Sequence, residues 1–317
     1  MIKTISKYIL VAATIALAGC SDFLDRENPA YDNRGFYKSE QGLKEGVTGV
    51  YQKLYFDMNW SVPACIVLDH YTAYGLEQDE NRSIGAGGSL NPDNGKIQAF
   101  WSGEYGIIAR ANSVIAGAES AIDQMSDKAK QYFAEARVLR AYAYYNLISA
   151  YGDVPFFTDP VTIEQYKAGR TPKGEIIEFL TKDLNDAAEA LPWTASERGR
   201  VDKAVAYGLI SRICLFAGSF NVDDKGQDYF RQAAEAASKV IGKRHLANKF
   251  DDLFNLTGQA KSDVRDECLW ELMYSTSGTK KLHTVGYGHS SRNYGSSVRF
   301  PSSLIVDTYE CIDGKRI

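Results

Sequence analysis

The sequence predicts a domain that is built almost entirely of α-helices and carries one irregular, loop-rich region. Apolar residues recur at three- and four-residue steps in six successive stretches, which is the spacing of one helix face. Gly or Pro follows most of these stretches, where a helix would end. Small residues alternate with large ones along the apolar faces, as in stacked helix pairs. We therefore expect a tetratricopeptide-like arrangement, although the exact signature of that repeat is absent.

The first three helices are predicted from Leu43 to Leu54, from Trp101 to Ile115 and from Phe133 to Tyr151. The third ends at Gly152-Asp153-Val154-Pro155, because Gly suits the position after a helix and Pro cannot continue one. Residues 56–99 interrupt the helical spacing with a glycine cluster and a string of turn-forming residues. This stretch is therefore predicted to be irregular.

Three more helices are predicted in the next part of the chain. The first begins with Pro172 at its first helical position, where Pro is favoured, and its apolar stripe continues to Leu191. The other two are predicted from Val205 to Phe216 and from Phe230 to Ile241, and they end at Gly218 and Gly242.

The helical spacing fades after about residue 262. Leu269-Trp270-Glu271-Leu272 predicts a short extended segment, and residues 275–300 are rich in Gly, Ser and Thr. The chain stops at Asp313-Gly314-Lys315-Arg316-Ile317, which has the composition of a turn. We expect from this that the natural protein continues.

The N-terminus resembles a lipoprotein export signal. Lys3 and Lys7 precede an apolar run from Tyr8 to Ala18, and Leu17-Ala18-Gly19-Cys20 has the pattern of a bacterial lipobox. A spanning helix needs ~20 apolar residues, and this run is about half as long. We predict a signal peptide over residues 1–19, acylation of Cys20, a polar tether over residues 20–35 and the folded domain over residues 36–317. The alternative is an ordinary secretory signal with an incidental cysteine.

The composition limits the classes of function. A chain that is 44% hydrophobic and 24% charged is typical of a globular protein, and the formal net charge of -4 argues against a nucleic-acid partner. The four histidines show no HExxH spacing and no cysteine pair has the spacing of a zinc site, so no metal and no cofactor is predicted. Cys214 lies in an apolar run and is predicted to be a small buried residue, while the pairing of the other cysteines stays open.

Several separated blocks of sequence carry a family resemblance. They are Tyr132–Leu147 followed by Tyr151–Pro155, then Arg170–Ile177 with Asp183-Leu184 and Leu191-Pro192, then Gly199–Ala204 running to Arg212 and Leu215, and finally Pro301–Asp307 with Tyr309 and Asp313–Lys315. These blocks resemble the SusD/RagB family of nutrient-binding lipoproteins of the Bacteroidetes outer membrane, and they occur in the family's order. The lipobox followed by Ser21-Asp22 fits the same family.

This resemblance implies four tetratricopeptide-like helix pairs with a ligand-binding irregular region packed on them. It also implies a lipid-anchored, surface-exposed protein that covers a SusC-like TonB-dependent transporter as a hinged lid. The ligand is typically an oligosaccharide and sometimes a peptide, and no catalysis takes place. Family members are usually much longer, so the chain resembles their first half or more.

The helical spacing of four signature residues, Arg137, Arg140, Tyr144 and Tyr151, predicts packing and internal hydrogen bonds rather than contact with ligand. Sugar binding needs flat apolar faces beside planar polar groups, and loops often supply them. Two stretches have that composition, and the candidate ligand-binding residues are Trp60, Asp69, Tyr71, Tyr74 and Arg82 in the first and Tyr287, Asn293 and Tyr294 in the second. The alternative for any one of them is an ordinary loop residue.

Other functions fit the sequence less well. The acidic residues Asp69, Glu77, Asp79 and Glu80 are candidates for a glycosidase carboxylate pair, but acids that cluster on one loop are usually only solvated. No catalytic residue is therefore predicted. The alternative to glycan capture is a helical scaffold on the transporter, with no ligand or with a peptide ligand.

Overall fold

The computed structural model describes residues 33–56, 75–77, 93–255, 257–273, 299–310 and 314. Within these residues the protein is helical, as predicted. The α-helices are α1 (Asn33–Phe36), α2 (Glu40–Lys53), α3 (Gly95–Ala118), α4 (Asp127–Tyr151), α5 (Lys173–Ala190), α6 (Lys203–Ser219), α7 (Gly226–Val240), α8 (Ser262–Glu267) and α9 (Ser303–Val306). Each helix from α3 to α7 packs against the next, and α2 packs against α3 and α4. The tetratricopeptide-like detail of this stack stays a prediction.

Polar side chains fix the starts of four of the long helices. Ser39, Asn94, Ser126 and Asp202 each accept a hydrogen bond from a backbone N–H of the first helical turn. The cap at Asn94 explains why α3 begins at Gly95, six residues before the predicted start at Trp101. Asn favours turns in sequence, but it is also a strong helix cap.

Two of four predicted helix boundaries differ from the structure, and two agree with it. Pro172 is the N-cap of α5 and not its first helical residue, because its ψ of 133° is extended. Gly218 does not end α6, which continues to Ser219. A Cβ atom at Gly218 would lie 2.7 Å from Phe230 Cδ1, so this glycine allows α7 to approach. Gly152 and Gly242 end their helices as predicted, with φ of 73° and 81°.

The core lies between the packed helices and consists mainly of aliphatic side chains. Tyr144 is the largest fully buried side chain of the described residues. Other members with no exposed surface are Leu43, Val47, Ile107, Leu139, Leu147, Ile176, Ile177, Leu180, Leu184 and Ile213. Cys214 is buried with a free thiol, which confirms its predicted place in the core.

Regular β-structure among the described residues is limited to two short strands, β1 (Gly75–Glu77) and β2 (Arg299–Pro301). The predicted extended segment Leu269–Leu272 has no strand partner in the described part of the chain. None of the described helices combines the length and the apolar character that crossing a membrane requires. The signal peptide, Cys20 and most of the tether lie outside the described residues, and α1 begins at Asn33 within the predicted tether.

Candidate functional site

The structure does not describe the predicted ligand-binding residues. Of the acidic cluster in the glycosidase alternative, it describes only Glu77, the last residue of β1. Trp60, Asp69, Tyr71, Tyr74, Arg82, Tyr287, Asn293 and Tyr294 lie outside the described residues. The residues that flank the two stretches are described. Their contacts show which parts of the chain lie next to the residues that flank each stretch.

Described residues that precede the two stretches are in contact with each other. The Tyr55 hydroxyl, just beyond α2, donates a hydrogen bond of 2.7 Å to the backbone oxygen of Met273. Tyr55 lies five residues before Trp60, Met273 lies 14 residues before Tyr287, and the two residues are 218 positions apart in the chain. A single hydrogen bond therefore joins the segments that precede the two stretches.

A strand pairing joins the same stretches a second time. β1 lies next to Tyr74 in sequence, and β2 follows the second stretch by a few residues. The strands are antiparallel, with Gly75 opposite Pro301 and Glu77 opposite Arg299. Two segments that are far apart in the sequence are thus brought within one β-ladder spacing of each other.

The loop before α6 holds the segment that leads into the second stretch. Trp270 Nε1 donates a hydrogen bond of 2.9 Å to the backbone oxygen of Gly199. Arg198 donates two hydrogen bonds to the Glu271 carboxylate, at 2.5 and 2.8 Å. Gly199 has a φ of +87°, and a Cβ atom there would lie 2.7 Å from Met273 Cγ. Glycine is therefore required both by the backbone conformation and by the close approach of Met273.

A buried cluster of polar side chains joins this loop to the helices. Arg200 Nη1 lies 2.9 Å from Glu135 Oε2, and the Tyr51 hydroxyl donates to the same oxygen at 2.8 Å. The backbone N–H of Val201 in turn donates to the Tyr51 hydroxyl at 2.8 Å. Burial raises the pKa of Glu135, and the Arg200 charge opposes that change. The cluster links α2, α4 and the loop, so the position of Trp270 is set by the helical core.

The predicted structural role of the signature residues Arg137, Arg140, Tyr144 and Tyr151 is confirmed. Arg140 is 3% exposed, and its guanidinium donates to Asp183 Oδ2 and Asn112 Oδ1, each at 3.0 Å. The Tyr144 hydroxyl donates to the backbone oxygen of Phe157 and accepts from its N–H. These contacts join the chain after α4 to α3 and α5, and burial keeps Arg140 from contact with a ligand.

An aromatic group covers the start of α3, close in sequence to the first stretch. Trp101 lies edge-on to Tyr151 at 5.0 Å between ring centroids and contacts Tyr105 at 4.9 Å. Beneath these rings, Glu104 is 2% exposed and accepts one hydrogen bond, from Asn146 at 2.9 Å. Desolvation raises the pKa of Glu104 to about 8. Glu104 is therefore mainly protonated at neutral pH, without a cationic partner among the described residues.

Two surface cavities lie on either side of Leu269 and Trp270. The first, of about 390 Å³, is lined by equal numbers of arginines and carboxylates, namely Arg198, Arg200, Arg244, Arg265, Glu197, Asp202, Asp266 and Glu271. The second, of about 340 Å³, lies between α4 and α6. Neither cavity is predicted from the sequence, because the aromatic residue of the Leu269–Leu272 segment gives no sign of which distant elements it contacts.

The described residues offer little that resembles an active centre. They contain no group of three His, Cys, Asp or Glu side chains that would hold a metal ion. Cys268 is an exposed free thiol, and His245 Nδ1 lies 2.8 Å from Asp266 Oδ2 on the surface.

Known proteins resemble this chain in sequence and in fold. A SusD-like family model, described as "Starch-binding associating with outer membrane", matches residues 22–215. SusD-like protein P2 of Formosa agariphila is 26% identical, over 98% of this chain and 63% of that protein. A SusD-like carbohydrate binding protein from Bacteroides fragilis aligns with a TM-score of 0.71 at 22% identity, over 89% of this chain and 55% of that one. Surface glycan-binding protein A from Bacteroides thetaiotaomicron, solved in complex with laminarihexaose, aligns with a TM-score of 0.57 at 18% identity, over 74% of this chain and 50% of that one. The chain therefore spans between half and two thirds of the length of these relatives, and the structural likenesses show the fold.

Proposed function

The chain belongs to the SusD-like family, and on that premise we propose that it is an outer-membrane lipoprotein that captures an oligosaccharide and delivers it to a SusC-like TonB-dependent transporter. The proposal assigns ligand binding to the two loop stretches together. It assigns no chemistry on the sugar, so the protein binds the glycan and releases it intact.

One observation carries this proposal: described residues beside the two stretches are in contact with each other. Tyr55 and Met273 form one such contact, and the pairing of β1 with β2 forms a second, separate one. A site that binds several sugar rings needs aromatic faces from more than one segment, held at fixed spacing. Segments that such contacts bring together beside a helical body meet this requirement, and loops on such a body can change ligand without changing the fold.

Within this site we assign stacking to the aromatic residues and hydrogen bonding to the planar polar ones. Trp60, Tyr71, Tyr74, Tyr287 and Tyr294 would face the C–H surfaces of sugar rings. Asp69, Arg82 and Asn293 would bond the hydroxyl groups. Both stretches also hold Gly and Ser, which suit adaptable loops.

Membrane attachment and the transporter complete the proposal. Acyl chains on Cys20 would hold the protein on the outer membrane, since each buried methylene contributes ~0.8 kcal/mol. Mass spectrometry of the N-terminal peptide from native membranes tests this directly. An unmodified Cys20 would contradict the anchor. Co-purification of a TonB-dependent transporter with the native protein tests the partner.

Calorimetric titration with neutral glucan hexasaccharides tests the ligand and the site. We expect alanine at each of the five aromatic positions to weaken binding by at least about 1 kcal/mol, or about fivefold. Phe220→Ala and Phe254→Ala are matched controls, because these rings are 65% and 71% exposed on the helical body. They should leave the affinity unchanged. Unchanged affinity in all five site variants would refute the assigned site, and the absence of any glycan binding would favour the scaffold or peptide-binding alternative.

A further inference from the structure

We propose that the second cavity, between α4 and α6, binds one uronic-acid residue of an acidic oligosaccharide. The cavity is bounded by Leu269 and Trp270 at one end. Its other principal lining residues are Val138, Tyr142, Val205, Leu209 and Arg212. This inference rests on the proposed function, because it takes the ligand to be a glycan. It adds a second place of contact and an acidic class of sugar.

The cavity presents aromatic surface in a fixed orientation. The Tyr142 and Trp270 rings meet at 88°, with 5.2 Å between their centroids, and so form a corner. The hydrogen bond from Trp270 Nε1 to Gly199 holds the indole in this orientation. Because the rings are already ordered, a sugar ring packed in the corner loses less free energy to ordering than one bound by mobile side chains.

The charge of the cavity is that of a single cation. Arg212 lines the cavity, is exposed and makes no salt bridge with another described residue. No carboxylate lines this cavity among the described residues. In the neighbouring cavity, by contrast, Arg198 and Arg244 each pair with carboxylates that would repel an anion. A carboxylate on a ligand therefore finds its partner at Arg212.

The size and polarity of the cavity fit a sugar acid. A volume of about 340 Å³ is at the lower end of the range for ligand cavities, which is ~300–1,000 Å³, so it suits one or two sugar rings. One guanidinium matches one carboxylate with two hydrogen bonds. The aliphatic walls Val138, Val205 and Leu209 suit the C–H face of a pyranose ring.

The test compares methyl β-glucuronide with methyl β-glucoside, which share one ring and differ at the carboxylate. We expect the purified wild-type chain to bind the glucuronide at least about tenfold more tightly, measured by ligand-observed NMR titration. Arg212→Gln should abolish this preference, and Arg212→Lys should retain part of it. Arg231→Gln removes the same charge from an exposed residue outside the cavity and should have no effect. A higher salt concentration should weaken the binding of the glucuronide and leave the binding of the glucoside unchanged.

Equal affinity for the two glycosides, or equal effects of Arg212→Gln and Arg231→Gln, would overturn the proposal. Circular dichroism melting of each variant shows that the chain is folded. Trp270→Phe, which keeps a ring and removes the N–H, should weaken binding of both glycosides.

Neutral hexasaccharides serve to separate the two proposals, because their binding tests the loop site. Binding of hexasaccharides that Arg212→Gln leaves unchanged, with no glucuronide preference in the wild type, overturns this inference and leaves the proposed function intact.

Discussion

Replacing Glu104 by Gln is predicted to stabilise the protein increasingly as the pH rises. Glu104 lies on α3 with 2% of its surface exposed, and it accepts a hydrogen bond from Asn146. Its second carboxylate oxygen has no hydrogen-bond partner among the described residues. Gln is nearly isosteric, can still accept the bond from Asn146 and carries no charge. The substitution therefore removes the ionisation of this group and little else.

The magnitude follows from the pKa of Glu104 in the folded and unfolded chains. Burial raises this pKa from 4.5 to about 8. The folded state thus holds the proton more tightly, and its stability falls as the pH rises from about 4.5 to about 8. At ~1.36 kcal/mol per pH unit, the raised pKa lowers the stability by about 3 kcal/mol at pH 7, where folding must keep the group protonated, and by at most about 5 kcal/mol above pH 8. Below pH 4.5 the group is protonated in both states, so its ionisation no longer affects the stability.

Urea unfolding followed by circular dichroism at pH 5, 7 and 8.5 measures this effect. The stability difference between Glu104→Gln and wild type should grow from under about 1 kcal/mol at pH 5 to about 3 kcal/mol at pH 7 and more than that at pH 8.5. Glu119→Gln is a suitable control, because Glu119 is an exposed carboxyl at the end of the same helix. A difference that does not change with pH, or a less stable Gln variant at pH 8.5, would refute the reasoning.

Three further substitutions test the supports of the candidate site. Tyr55→Phe removes the hydroxyl that donates to the backbone oxygen of Met273, and it should weaken oligosaccharide binding severalfold without changing the melting temperature. Equal affinity of wild type and variant in calorimetric titration would show that this contact does not position the stretches. Arg140→Met leaves the buried Asp183 with one fewer cationic partner and should lower the unfolding free energy by about 3 kcal/mol, and a loss under about 1 kcal/mol in urea unfolding would contradict its structural role. Gly199→Ala forces a left-handed residue against Met273 and should cost about 1–2 kcal/mol, whereas a stability equal to wild type would show that the loop adjusts without strain.

Most of the helices could be predicted from the sequence because apolar periodicity is a local property. The stripe through Ile176, Leu180 and Leu184 is fully buried in α5, and the buried residues of α4 include the predicted Leu139 and Tyr144. The boundaries were less reliable, because one residue type serves several purposes. Asn94 caps a helix as readily as it forms a turn, and Gly218 admits the Phe230 ring rather than ending α6.

The contacts that position the candidate site could not be predicted in this way. The hydrogen bonds from Tyr55 to Met273 and from Trp270 to Gly199 join residues 218 and 71 positions apart, and no local pattern records such pairs. The burial of Glu104 could have been suspected. It occupies the same helix face as Trp101 and Ile108, three residues after one and four before the other. An acid within an apolar stripe is a visible signal of this kind.

The central claim is that two distant loop stretches form one oligosaccharide site. A double-mutant cycle between Tyr71 and Tyr287, measured by calorimetric titration with one hexasaccharide, tests it most directly. The account predicts binding of one ligand per chain, with weaker affinity in each single alanine variant and a double variant whose loss departs from the sum of the two. Contrary results would be two independent binding events, each abolished by only one of the substitutions, or a Tyr287→Ala variant that binds like the wild type.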